Sequence, residues 1–255
     1  MGTWQVIETL KSDSFGCVER LQEAGGRVLL RRNAGGGALP GSRLVARYLM
    51  QRERRALEAL AGLSATPVLV EDPEAMATPS QNGRIPARRD ILLRHWVSAA
   101  PLHKAEFLAE DFFDHLDDLV KKLHEAGVCH NDLHKEQNIL VGADGYPHLI
   151  DFQLASLHRR KGRLFRSRSR DDLRHVQKHR RRYTRDGRGP AAAGVDHGAG
   201  RGMRRSGLAL VWRKTGKPLY NFITRRLLGT SDGEERRPSS GPWPTWTEPR
   251  GRRDL

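Results

Sequence analysis

The pattern of apolar and polar positions divides the chain into a first part rich in predicted strands and a second part rich in predicted helices. Residues 4–10, 17–21 and 27–32 carry the alternation that is typical of half-buried strands. Two further runs, 67–71 and 91–97, extend the series. We therefore predict a small antiparallel sheet of five strands.

A single helix is predicted within this sheet region, over residues 42–63, because four leucines recur there at helical spacing. Glu53 lies on the same face as these leucines, so its carboxylate is expected to be buried. A buried carboxylate without a cation is costly, which calls for a partner. Arg31 and Arg32 on the third predicted strand are the candidates.

A second predicted helix, over 107–126, leads into the stretch with the most chemistry. Two short apolar strands, 139–141 and 148–150, follow it and are joined by the turn 142–145. Polar residues precede or follow these strands: His130, Asp132, Asn138 and Asp151.

These four residue types suit phosphoryl transfer. The reaction needs a carboxylate that accepts the proton of the acceptor hydroxyl, and oxygen ligands that hold Mg²⁺ against the phosphates of ATP. Asp132 suits the first role, Asn138 and Asp151 suit the second, and His130 is expected to brace the catalytic loop. An ordinary turn whose polar residues face water would not account for the whole set.

The order of these residues resembles that of the protein-kinase-like superfamily. The pattern His-Asn-Asp-Leu-x-Lys-Glu-x-Asn over 130–138, with 171–175, is similar to bacterial RIO-like kinases and to lipopolysaccharide core sugar kinases of the Kdo-kinase type. The resemblance covers about 6–183. It implies an α+β, two-lobed protein-kinase-like fold with a small antiparallel sheet lobe and a mainly helical lobe.

The resemblance also implies roles for individual residues. Asp132 would be the catalytic base, Asn138 and Asp151 the metal ligands, and Glu53 the helix partner of a strand cation. The phosphate loop would span 12–16, which contributes Ser12, Ser14 and Gly16; an ordinary hairpin turn is the alternative for this short polar stretch. ATP and Mg²⁺ are the implied cofactors.

Three features depart from the family pattern. Asn138 comes six positions after Asp132 instead of five, and Gln153 replaces the glycine that usually follows Asp-Phe. No lysine occupies the third strand, so Arg31 or Arg32 must contact the nucleotide phosphates, and alternation does not choose between them. Arg is not a neutral replacement for Lys, and a catalytically weak or inactive scaffold is therefore an alternative.

Basic charge is concentrated in one segment. The chain has 255 residues, 37% of them hydrophobic, and a net charge of +15. Residues 158–188 hold fourteen Lys or Arg against three Asp, and so account for +11 of the total. This run suits a polyanion such as anionic lipid, nucleic acid or a phosphorylated substrate, or it is simply a solvated stretch.

The chain is divided into five predicted segments. They are a nucleotide-binding lobe (1–97), a catalytic lobe (98–183), a poorly ordered Gly, Arg and Ala segment (184–206), an amphipathic helical segment (207–228) that packs on the body or lies on an anionic surface, and a disordered tail (229–255).

The sequence predicts a cytoplasmic protein, at most peripheral at the inner face of the membrane. Its two cysteines are isolated, its start does not resemble a signal peptide, and it has no run of eighteen apolar residues. The predicted partners are ATP, a hydroxyl-bearing acceptor and an anionic membrane surface, and nucleic acid is not an expected partner of the enzyme. The acceptor is a lipopolysaccharide core sugar or a protein Ser or Thr. The competing hypothesis is a kinase-like scaffold that binds membrane or nucleic acid through its basic segment.

Overall fold

The computed structural model describes residues 4–13, 15–35, 41–184 and 244–247. They belong to two compact units, the first with 4–97 and 152–154, the second with 98–151, 155–184 and 244–247. The predictions made for Ser14, for 185–206, for 207–228 and for the tail apart from 244–247 lie outside the described residues.

The first unit contains a four-stranded antiparallel sheet in the order β1-β2-β3-β4. Its elements are β1 (Trp4–Asp13), β2 (Gly16–Glu23), β3 (Val28–Ala34), α1 (Ser42–Ala59), α2 (Pro73–Ala77) and β4 (Ile91–His95). The predicted strands at 4–10, 17–21, 27–32 and 91–97 are confirmed with shifted ends. The helix predicted over 42–63 is confirmed, although it ends at Ala59.

The fifth predicted strand, 67–71, is wrong. Only Leu69 forms an isolated bridge, to Arg94, and two further backbone hydrogen bonds hold the segment beside β4. Pro67 has no N–H to donate to a ladder, and Asp72 already caps α2 by accepting a hydrogen bond from the Ala75 N–H at 2.9 Å. The segment therefore runs along β4 without becoming a strand.

Both faces of this sheet are covered, so β3 is buried on both sides. Leu29 packs with Trp4 and Met76 on the face of α2, whereas Ala34 packs with Met50 of α1 on the opposite face. Successive residues of β3 therefore point to different environments.

The described part of the second unit is built around two packed helices and three small sheets. Its elements are β5 (Ala99–Pro101), β6 (Phe107–Ala109), α3 (Phe112–Glu125), β7 (Val128–Cys129), β8 (Ile139–Gly142), β9 (Pro147–Leu149), β10 (Ser156–Leu157), α4 (Arg163–Thr184) and β11 (Thr245–Thr247). The predicted hairpin is confirmed as β8 and β9, next to β5. No helix in the described part of the chain is long and apolar enough to cross a bilayer.

Tertiary pairing changes two predictions in this unit. The helix predicted over 107–126 begins only at Phe112, because 107–109 form β6 and pair in parallel with β11. The residues of β11 therefore form a strand within the stretch predicted as a disordered tail. Most of the basic segment 158–188 belongs to one helix, α4, which begins at Arg163.

Gly16 occupies the closest backbone approach in the first hairpin. Its φ is 134°, and a methyl group on its Cα would lie 1.8 Å from the backbone oxygen of Asn33 on β3. Only glycine fits such a position without moving the backbone. The residue is thus required by the packing of β2 on β3.

We predict that Gly16→Ala lowers the free energy of unfolding by roughly 2–4 kcal/mol. Alanine disfavours the left-handed φ of this position, and its methyl group would clash with the backbone oxygen of Asn33. Gly25→Ala is the control, since a methyl group there meets nothing within 4 Å. Urea denaturation measures both variants. A Gly16→Ala midpoint equal to that of the wild type would contradict the packing role.

Candidate active site

The loop that carries Asp132 is anchored by one buried carboxylate on α4. The N–H groups of His130 and Asn131 donate to Asp172 Oδ2 and Oδ1 at 2.8 and 2.9 Å. His124 Nε2 of α3 lies 3.2 Å from Oδ2, and Asp172 is 1% exposed. Charged acceptors make the stronger class of hydrogen bond, so Asp172 fixes the backbone just before Asp132.

Asp132 is almost fully buried, and hydrogen-bond donors and cations surround its carboxylate. Asn138 Nδ2 donates to both its backbone oxygen and its Oδ2 at 3.0 Å. His134 Nδ1 lies 3.1 Å from Oδ1 and Lys135 Nζ lies 3.4 Å from Oδ2. Burial raises the pKa of Asp132, but the His134 hydrogen bond and the Lys135 charge outweigh it, so the pKa lies below its usual value. The carboxylate is therefore ionised at neutral pH.

His130 braces this loop against the segment that ends in Asp151. Its Nδ1 accepts from the Asp132 N–H at 3.3 Å, and its Nε2 lies 2.9 Å from the carbonyl oxygen of Ile150. The Ile150 N–H in turn donates to Asn138 O at 3.0 Å. The structure thus brings His130, Asp132 and Asn138 together and ties the residue before Asp151 to them.

Asp151 has a left-handed backbone, with φ 63°. Such a conformation is uncommon for a residue with a side chain, and it concentrates at functional sites. Asn131, at φ 64°, adopts it in the loop that carries Asp132 as well.

The donor set of the two predicted metal ligands fits Mg²⁺. Because the amide nitrogen of Asn138 faces Asp132, its Oδ1 is the atom that remains for a cation. Asp151 offers a half-buried carboxylate. Oxygen ligands of this kind are the ones that Mg²⁺ prefers.

In the first unit, the structure pairs Glu53 with Arg32. Glu53 is fully buried on α1, and its Oε2 lies 3.3 Å from Arg32 Nε. Arg94 of β4 adds a second cation, with Nε 3.7 Å from Oε1. The expectation of a strand cation beside Glu53 is met by Arg32.

Arg31 lies on the opposite face of β3 and is not brought to Glu53. It is fully buried, and its Nε and Nη2 donate to Glu19 Oε2 at 3.0 and 2.9 Å. Nη1 donates to the carbonyl oxygens of Ala75 and Thr78. The guanidinium is therefore used in binding α2 and its following turn to the sheet.

The predicted phosphate loop is a tight hairpin. β1 continues to Asp13 and β2 starts at Gly16, so Ser12 is already paired, with Cys17. Ser12 is exposed. Its hydroxyl and the close backbone at Gly16 lie at the end of this hairpin.

A second buried carboxylate connects the loop that carries Asp132 to α4. Glu136 accepts from Arg182 Nη1 at 2.7 Å and from the Tyr183 hydroxyl at 3.2 Å. His179 Nε2 lies 2.8 Å from the Leu133 carbonyl oxygen. Burial lowers the pKa of His179, so the ring is neutral at this contact.

His124, Cys129 and Asp172 offer ligand atoms within 4.8 Å of one another. Burial raises the pKa of the Cys129 thiol to about 12, so the thiol is protonated at neutral pH in the metal-free protein. Both carboxylate oxygens of Asp172 already accept backbone hydrogen bonds. The cluster is therefore a hydrogen-bonded core of the loop.

Several residues of this arrangement have no role predicted from the sequence, among them Asp172, Arg94, His134 and Lys135. The acidic pair 171–172 within a very basic helix was the signal for Asp172, because an acid at the helix's apolar spacing needs a buried partner. Arg94 lies in an otherwise apolar strand and offered a similar signal.

We predict that Asp172→Ala lowers the free energy of unfolding by roughly 2–4 kcal/mol, because two buried N–H groups lose their acceptor. Asp171→Ala is the matched control, since this neighbour is partly exposed and its one ion pair among the described residues is with Arg174 at 3.4 Å; we expect a change within about 0.5 kcal/mol. Chemical denaturation compares the two. Equal losses would contradict the anchoring role of Asp172.

Comparison with known proteins identifies a family that this chain matches. A family model described as "APH: Phosphotransferase enzyme family" matches residues 20–160, more than half of the chain. No curated protein sequence matches. The matched region contains Glu53, Asp132, Asn138 and Asp151. Because this family is kinase-like, the predicted α+β kinase-like fold class is confirmed.

Proposed function

Since the chain belongs to the phosphotransferase enzyme family APH, we propose that it transfers the γ-phosphoryl group of ATP to a hydroxyl group of an acceptor. The observation that carries this proposal is that the Asp132 carboxylate is both buried and held by a hydrogen bond. Asp132 is 3% exposed, and Asn138 Nδ2 donates to its carboxylate at 3.0 Å. Despite this burial, the hydrogen bond from His134 and the charge of Lys135 lower its pKa. A buried, ionised and oriented carboxylate is what the acceptor hydroxyl requires.

In this proposal Asp132 orients the acceptor hydroxyl and takes its proton as the acceptor oxygen bonds to the γ-phosphorus. The bond from that phosphorus to the β,γ-bridging oxygen breaks, and ADP leaves. Asn138 keeps the carboxylate in position through Nδ2 and offers Oδ1 to Mg²⁺ together with Asp151. The bound ion would neutralise charge on the nucleotide phosphates. Lys135, 3.4 Å from Asp132, adds a positive charge beside the acceptor oxygen.

We further propose that Arg32, and not Arg31, takes the part of the usual strand lysine. Arg32 is paired with the helix carboxylate Glu53 and keeps a partly exposed side chain, whereas Arg31 is fully enclosed. The hairpin with Ser12, Ser14 and Gly16 is the proposed phosphate loop. Its part in binding stays a prediction, as do the roles of His130 and Glu53.

The acceptor remains one of two proposals. A lipopolysaccharide core sugar, as the resemblance to RIO-like and Kdo-type kinases implies, would require a cytoplasmic enzyme at the inner face of the membrane; a protein Ser or Thr would not. Radiolabelled ATP, supplied with membrane glycolipid or with protein extract, distinguishes them by the fraction that takes up label.

We predict that Asp132→Asn lowers kcat for Mg²⁺-dependent ATP turnover by roughly 10²–10⁴-fold, because the proton acceptor is lost while the shape is kept. Asp118→Asn is the control, since its side chain is 66% exposed. Circular dichroism verifies that both variants fold. Equal turnover in wild type and Asp132→Asn would contradict the enzyme assignment and favour the scaffold hypothesis.

We predict that Arg32→Met lowers kcat/KM for ATP by roughly 10–100-fold, by loss of one charged phosphate contact. Arg32→Lys, which keeps the charge, should retain activity within about tenfold. Arg31→Met should act mainly on stability, with a loss of roughly 3–5 kcal/mol, because Glu19 is left buried without its cation. In Arg32→Met the buried Glu53 still has Arg94 beside it. A larger effect of Arg31→Met than of Arg32→Met on the KM for ATP would reverse the assignment.

A further inference from the structure

Residues 157–170 form a surface that we call the basic corner. It comprises the end of β10, the connection 158–162 and the first two turns of α4. It has no Asp or Glu and seven cations: Arg159, Arg160, Lys161, Arg163, Arg166, Arg168 and Arg170. All of them except Arg168 are exposed.

Helix periodicity puts the cations of α4 on its outward side. Arg163, Arg166 and Arg170 follow the i, i+3, i+7 spacing of a single helix face. Phe165 and Asp172, which are buried, lie on the opposite face. The guanidinium groups of this face therefore point away from the body of the unit.

The remaining cations of α4 differ, because many of them are paired with acids. Arg174 lies 3.4 Å from Asp171. Arg180 and Arg182 lie 2.7 Å from the carboxylates of Asp114 and Glu136. In the part of the chain that the structure describes, no such ion pair involves a cation of the basic corner. Its charge is thus available to an outside partner.

Two exposed leucines accompany these cations. Leu157 and Leu164 are 48% and 45% exposed. The connection folds back on the first turn of α4, because the His158 ring and Lys161 Nζ lie 5.5 and 5.8 Å from the centre of the Phe165 ring. Leu157 and Leu164 are the chain neighbours of His158 and Phe165, and so belong to the same corner.

We propose that the basic corner docks the protein on an anionic phospholipid surface. Cations near such a surface are attracted by its negative potential, and apolar side chains among them enter the interfacial region. Nucleic acid is less well matched, because the corner has no exposed aromatic ring for base stacking and exposes leucines instead. This inference is independent of the proposed transfer reaction, since no residue of the basic corner has a role in that reaction.

The test is cosedimentation of the full chain with lipid vesicles. We expect binding to vesicles that contain phosphatidylglycerol and none to vesicles of phosphatidylcholine alone. The triple variant Arg163→Gln, Arg166→Gln, Arg170→Gln should bind about 100-fold more weakly, since each cation near the surface contributes roughly a factor of five.

The matched control removes the same charge elsewhere, in Arg55→Gln, Arg84→Gln, Arg89→Gln, all exposed and outside the corner. It should bind within about threefold of the wild type, because salt screens the attraction between the membrane and charges that do not contact it. Equal losses in the two triple variants would overturn the assignment of the basic corner.

A second variant distinguishes lipid from other polyanions. Leu157→Ser, Leu164→Ser should lose vesicle affinity by about tenfold or more, with no change in binding to a DNA duplex. Both leucines are exposed, so the fold should not depend on them. Vesicle affinity equal to that of the wild type would overturn the membrane proposal and favour nucleic acid or an acidic protein as the partner.

Discussion

The pair of hydrogen bonds from the His130 and Asn131 N–H groups to Asp172 is the interaction on which the candidate site depends. Two consecutive amides converge on one carboxylate, which requires a non-repetitive backbone, and Asn131 supplies it with φ 64°. An unpaired carboxylate at this depth would be strongly destabilising. The loop conformation and the burial of Asp172 therefore require each other.

Further contacts between the loop and α4 reinforce this anchor. Glu136 and the Leu133 carbonyl both bind side chains from the last two turns of the helix. His130 extends the arrangement to Ile150 and so to Asp151. Asp132 and Asn138 are thus held by groups that are themselves fixed, which is what an oriented proton acceptor needs.

Much of this arrangement was predictable from the chain. Helical periodicity correctly put Glu53 on the buried face, and alternation with turn residues identified the hairpin of β8 and β9. Alternation left Arg31 and Arg32 undecided for a physical reason, since both faces of β3 are covered and each arginine meets a carboxylate.

Other features depend on partners that are distant along the chain. β6 is a strand because 245–247 pair with it, and no local signal at 107–109 contains that information. The segment 67–71 has strand composition, yet Pro67 and the cap of α2 keep it from pairing fully. The acidic pair 171–172 indicates a buried acid, but not its partners, because these are amides more than forty positions earlier.

The most direct measurement is native-state hydrogen exchange of the His130 and Asn131 amides in the wild-type protein. If Asp172 anchors the loop, both amides exchange as slowly as the Ile150 amide, which is bonded to Asn138 within the same unit. Exchange of His130 and Asn131 at the rate of an open surface loop would contradict the account.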